Sequence, residues 1–150
     1  MTRRATLLLP ALLLLAACAA SARAQDPPAN TVEHEFPNGS RVVLAYDAGR
    51  LRFFNYYGSA GAGESMHECE MEFVRGDNSS TWEDGGAATT VRSGEGRRAV
   101  AVTVRRARGR YTITFAGSRK GSFCGAGVSL PRRITLTRRR GGDYAGRILM

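Results

Sequence analysis

Met66-His67-Glu68-Cys69-Glu70-Met71-Glu72-Phe73-Val74-Arg75 alternates almost without a break. His67, Cys69, Met71 and Phe73 fall on one side, and Glu68, Glu70 and Glu72 on the other. A period of two marks a half-buried β-strand. The stretch therefore predicts a strand with an acidic outer face. One of its inward residues is Cys69, and the only cysteine further along the chain is Cys124. This is the strand to which the domain is expected to be stapled.

Working outward, the same period recurs on both sides. Val32, His34 and Phe36 alternate with Glu33 and Glu35, and Pro37-Asn38-Gly39-Ser40 predicts a turn. Arg41 to Tyr46 and the aromatic run Arg50 to Tyr57 complete a three-strand meander. Beyond the Met66 strand, Trp82 lies in a short segment, and Thr89 to Arg92 reads as a short strand. Arg97 to Arg105 and Arg110 to Ala116 form the clearest hairpin, with Val100, Val102 and Val104 facing Tyr111, Ile113 and Phe115. Arg133 to Thr137 and Asp143 to Met150 read as the last strands. No segment keeps a helical period. The expected fold is all-β, a small antiparallel barrel or sandwich of about eight strands.

The N-terminus reads as an export signal. Arg3 and Arg4 precede an apolar run from Ala5 to Ala17, and small residues follow. The run contains Pro10 and is short of the roughly 20 residues of a membrane-spanning helix. Two processing sites compete. Ala22-Arg23-Ala24 suits ordinary signal peptidase and makes residues 1–24 a signal peptide. Leu15-Ala16-Ala17-Cys18 resembles a lipobox, with 1–17 as the signal and Cys18 lipidated. That resemblance implies an outer-membrane lipoprotein, because Ala19 follows the cysteine. Residues 25–30 would form a tether and 31–150 a single β domain. Either route removes or consumes Cys18, and leaves Cys69 and Cys124 as an even pair in an oxidising compartment. A disulfide between them closes a 55-residue loop, worth roughly 4 kcal/mol on the chain-entropy account. The alternative is two buried free thiols.

Charge is divided along the chain. The whole sequence carries +9, with 22 basic and 13 acidic residues. From Gln25 to Asp84 there are 11 acids and 4 bases; from Gly85 to Met150 there are 2 acids and 15 bases. One reading pairs acidic strands with basic ones inside the fold. The sharper reading is a basic face for an anionic partner. By alternation Thr103, Thr112, Thr114, Thr135 and Thr137 point away from the core, and Arg105, Arg110, Arg133 and Arg139 share their parity. The expectation is a threonine floor rimmed by guanidinium groups, whose planar forks suit carboxylate and phosphate. In an exported protein the partner would be an anionic envelope polymer, and nucleic acid is a poor candidate. A membrane would be met only through a lipid on Cys18.

Catalytic chemistry finds little support. His34 and His67 are the only histidines. His67 and Cys69 share a face, but zinc needs three or four ligands. Glu68, Glu70 and Glu72 have the carboxylates of acid–base or calcium chemistry, yet the row reads equally as a solvated face or a guarded edge. Gly58 to Glu64 lacks the Gly-Lys-Ser/Thr ending of a phosphate loop. The expectation is a non-catalytic protein with no metal and no cofactor.

Two resemblances bear on this. His67-Glu68-Cys69-Glu70-Met71-Glu72 with Phe123-Cys124-Gly125-Ala126-Gly127 resembles a pattern in small uncharacterised exported proteins of proteobacteria, over about Met66 to Leu130; that family implies no activity. Asn38 to Tyr46 is similar to the opening strand of membrane-bound inhibitors of c-type lysozyme. This second resemblance implies a lysozyme-like partner. The chain lacks the cysteine before that strand and the Ser-Gly-x-x-Tyr inhibitory loop, so no inhibitory residues carry over.

Overall fold

Alternation along the chain is realised as ten strands in two antiparallel sheets. The structure, a computed structural model, describes residues 30–60, 67–117, 123–126 and 128–150, with the backbone alone at 59, 60 and 67. β1 (Asn30–Glu35), β2 (Arg41–Asp47), β3 (Arg50–Ala60) and β4 (His67–Val74) form a four-stranded sheet in chain order. β5 (Ser80–Gly85), β6 (Ala88–Ser93), β7 (Val100–Ala107), β8 (Arg110–Gly117), β9 (Arg133–Arg138) and β10 (Tyr144–Leu149) form a six-stranded sheet, again in chain order. The domain is thus two successive meanders. The sheets remain separate, so the architecture is a sandwich and no closed barrel forms.

The expected count of about eight strands falls short by two. The Trp82 segment is a full strand, β5, because its inward Trp82 pairs with Val91 of β6. The strand expected from Arg97 begins at Val100 instead, since Gly96–Arg98 makes one turn of 3-10 helix.

The inward sides of both sheets build one core. Leu44, Phe54, Met71 and Phe73 of the small sheet meet Val91, Val102, Ile113, Ile134 and Leu136 of the large one, and all are buried. Phe54 contributes ring contacts to Phe73 and to Phe115, each at 6.1 Å between centroids. Tyr46 and Tyr111 approach at 5.9 Å at one end of the sandwich. The Arg106 guanidinium lies over both rings, 5.7 and 5.9 Å from their centroids. Arg106 has the inward parity of β7, but it sits past the last core valine and covers the core end as a cation over aromatic faces.

The sheet edges are closed by different means. β1 meets β10 where Gly146 faces the rings of His34 and Phe36. A Cβ at Gly146 would collide with both rings, so this seam requires glycine. On the far side, the connection from β8 to β9 crosses over to the small sheet. There Phe123, Cys124 and Gly125 pair with the edge of β4. The Glu70 N–H donates to the Phe123 carbonyl and the Gly125 N–H to the Glu68 carbonyl, each at 2.8 Å. Cys69 and Cys124 are directly opposed in this short ladder and form the expected disulfide. Leu130 then enters the core, and the chain returns to β9. The staple thus joins the acidic sheet to a segment bounded by strands of the basic one.

Candidate functional site

The two outer faces carry opposite charge, because the register aligns like residues into rows. On the large sheet one row runs Arg147, Thr135, Thr112, Arg105, Ala88 across β10, β9, β8, β7 and β6. The next runs Leu149, Arg133, Thr114, Thr103, Thr90, Glu83. A third places Arg110 opposite Thr137, and a fourth places Arg92 opposite Ala101. Thr90 and Thr103 hydrogen-bond at 3.0 Å.

Three of the four expected arginines, Arg105, Arg110 and Arg133, lie exposed on this face among the predicted threonines. Arg139 follows the end of β9, in the turn to β10, where its N–H donates to the Asp143 carbonyl at 2.7 Å. Two further arginines, Arg92 and Arg147, belong to the face and escaped the sequence reading. Parity alone places neither beside the others; that needs the register of β6 on β7 and of β10 on β9. Arg92 lies 3.7 Å from Glu83. Arg105, Arg110, Arg133 and Arg147 have no ion-pair partner within 4.0 Å among the described residues. Neighbouring strands lie about 4.8 Å apart, so Arg105 and Arg147, three strands apart, are separated by about 14 Å. This spreading suits an extended anion and not a single phosphate.

The small sheet is the mirror case. Its rows are Glu35, Arg41, Tyr57, Glu70 and Glu33, Val43, Asn55, Glu72 across β1 to β4. Glu68 stands one pair further along β4, opposite Ser59. Around these rows five carboxylates thus meet Arg41, which lies 3.3 Å from Glu33, while Asp47, Arg50 and Arg52 lie at the far end of the same face. The rows enclose a depression of about 580 Å³ with Val43, Phe53 and Asn55 in its floor and Glu33, Glu35, Glu70 and Glu72 around it. The Tyr57 hydroxyl donates to Glu68, and this bond to a carboxylate pushes the Tyr57 phenol above its ordinary value.

Glu68, Glu70 and Glu72 alternate on one strand, so neighbouring positions stand roughly 7 Å apart along the outer face. Among the described residues no group of three His, Cys, Asp or Glu side chains is placed to hold a metal. The half-buried His34 ring lies edge-on to Phe36, centroids 4.6 Å apart, on the inward side of β1. The side chain of His67, the proposed export signal and Cys18 lie outside the described residues. No family model, curated protein or solved structure matches the chain.

Proposed function

We propose that the protein is an exported, non-catalytic, envelope-associated domain that binds an anionic polymer through the Arg/Thr face of its six-stranded sheet. The observation that carries this reading is the group Arg105, Arg110, Arg133 and Arg147. These guanidinium groups are held on one sheet face without carboxylate partners among the described residues, over a floor of threonine hydroxyls. A planar fork that no internal carboxylate occupies is available for carboxylate, sulfate or phosphate groups. The disulfide favours an oxidising compartment, the periplasm or beyond. The processing of residues 1–24 or 1–17 is tested by mass spectrometry of the mature protein, which distinguishes a lipid-bearing Cys18 from a free Gln25.

The binding test is retention on immobilised heparin and on lipopolysaccharide over a salt gradient. Charge reversal at Arg105→Glu and Arg133→Glu should bring elution to markedly lower salt, because exposed charge contacts are screened within about 10 Å at 0.1 M. Unchanged elution of both variants would sink the proposal.

A second reading, an inhibitor of a lysozyme, is favoured by one placement. Gly39, Arg41 and Val43, within the Asn38–Tyr46 stretch that resembles such inhibitors, line the acidic depression. Undiminished lysis of cell walls by a c-type lysozyme with the protein in excess would remove it.

A further inference from the structure

We propose that the acidic depression on the outer face of the small sheet is a second binding site, which takes an extended lysine- or arginine-bearing segment of a partner protein. The site is separate from the Arg/Thr face, since the whole core lies between the two sheets.

Two independent observations point there. The first is Asn55. It lies on the outer side of β3, between Val43 and Glu72, and yet is only 8% exposed. Its side chain lines the depression and has no hydrogen-bond partner among the described residues. A buried amide without a partner forgoes its hydrogen bonds, an arrangement that is costly unless something else supplies them. No fully sealed polar atom is left unpaired among the described side chains, so the Asn55 amide opens into the depression. There it offers both a donor and an acceptor, the complement of a peptide unit.

The second observation is the arrangement of charge. Glu33 and Glu35 on β1 and Glu70 and Glu72 on β4 form two rails, with the apolar surface of Val43 and Phe53 between them. Three strand spacings separate the rails, about 14 Å. An extended chain lying centrally along the strands sends successive side chains to opposite sides. Each basic side chain then has about 7 Å to cross, with its aliphatic stem on the apolar floor and its charge at a rail. A small organic cation would reach one rail only, and an anionic bilayer would be repelled. Within the depression Arg41 is an internal competitor, which occupies Glu33.

The test uses the mature disulfide-bonded protein and a fluorescein-labelled peptide of alternating lysine and serine, read by anisotropy at low salt. Binding should weaken with added salt. The paired substitutions Glu70→Gln and Glu72→Gln, both exposed, should weaken it roughly tenfold or more. Arg41→Gln should tighten it severalfold by freeing Glu33, a gain that a misfolded variant would not give. Asn55→Leu should weaken binding while leaving the salt dependence unchanged. Arg105→Glu and Arg133→Glu should leave peptide binding intact, and Glu70→Gln with Glu72→Gln should leave heparin retention intact, so each face stands or falls alone. The proposal is overturned if the lysine peptide does not bind, or if neither the glutamate pair nor Arg41→Gln changes its affinity. It is also overturned if sedimentation at low salt shows self-association that the glutamate substitutions abolish, because the occupant would then be the basic face of a second copy.

Discussion

The Arg75 guanidinium lies 2.7 Å from the Asp84 carboxylate and joins the end of the small sheet to β5 of the large one. Its Nε donates to the Leu51 carbonyl of β3 at 2.9 Å. The same group lies 4.8 Å from the centroid of the Trp82 ring. Arg75 is only 17% exposed in its side chain, so these contacts are less screened than those of a surface pair. The side chain spans the two meanders at the point where the chain crosses from one to the other.

Arg75→Ala should therefore destabilise by about 2 kcal/mol, through the lost charged hydrogen bonds and the lost packing of the stem. Asp84→Asn, at the more exposed end, should cost less than about 1 kcal/mol. Urea unfolding midpoints compare the two. Equal effects would mean that the ion pair alone, and not the Leu51 and Trp82 contacts, carries the cross-link.

The acid side of the stability profile should carry the signature of Asp84. The bonds from Arg75 and from the Thr89 hydroxyl, the latter at 2.8 Å, hold its carboxyl below the ordinary range. A depressed folded value means that the unfolded chain binds the proton first. The stability so contributed is present above about pH 4 and is lost as pH falls through the folded value. Asp84→Asn should flatten that part of the acid limb and leave the profile from pH 5 to 8 parallel to the parent. An unaltered acid limb would show that Asp84 titrates alike in both states.

The alkaline side should report the buried phenols. Burial is the largest cause raising Tyr46, with Tyr111 and Tyr144 adding to it and Arg106 opposing. Burial also raises Tyr56 and Tyr111. Neutral phenols in the fold contribute stability that is complete below about pH 10 and declines as pH rises above it. Tyr46→Phe should reduce the slope of stability against pH above pH 10. Denaturation midpoints measured between pH 8 and pH 11 check this.

The strand pattern was legible wherever one face is buried and the other wet, because burial enforces the period. Val100-Val102-Val104 and Cys69-Met71-Phe73 are of this kind. β5 is legible only as a short segment around Trp82, because its burial is slight: Trp82 is half-buried, and Thr81, Glu83 and Asp84 are exposed. Its strand state is settled by pairing with β6, a non-local fact. The choice between barrel and sandwich depends on whether edge strands pair, and nothing in residue order carries that. The basic face was legible in part for the same reason. Parity marked Arg105, Arg110 and Arg133, whereas Arg147 joins them through register. The acidic depression was missed because its rails come from β1 and β4, the first and last strands of the sheet. The row Glu68, Glu70, Glu72 was visible, but its partner Glu33, Glu35 lies some 35 residues earlier.

Two hairpins should improve with better turn chemistry. Ala48 and Arg108 each adopt a φ of 46°, directly before Gly49 and Gly109, which also have positive φ. Both are two-residue turns of the primed type, which match the twist of the flanking strands. A left-handed conformation costs an ordinary residue about 1 kcal/mol or more, and asparagine tolerates it better. Ala48→Asn and Arg108→Asn should each stabilise by about 0.5–1 kcal/mol, raising Tm by a few degrees. The sites are on different sheets, so the gains should add. A fall in Tm for both would contradict this account of the turns.

Removing the Cys69–Cys124 bridge should act at two levels. Opening a 55-residue loop frees the unfolded chain, a loss of about 2–4 kcal/mol after allowing for the usual shortfall from the entropy account. That loss would lower the protection of every globally exchanging amide by the same factor. The bridge also pins Phe123 to Gly125 against β4, alongside the two backbone hydrogen bonds of the short ladder. Without it this short ladder should open on its own, below the global free energy. In the double substitution Cys69→Ala and Cys124→Ala, the Glu70 and Gly125 amides should lose more protection than those of β7 and β8. Hydrogen exchange resolved by residue makes the comparison. A uniform loss would confine the bridge to its effect on the unfolded chain, and a selective one makes it the clasp that covers the β4 edge.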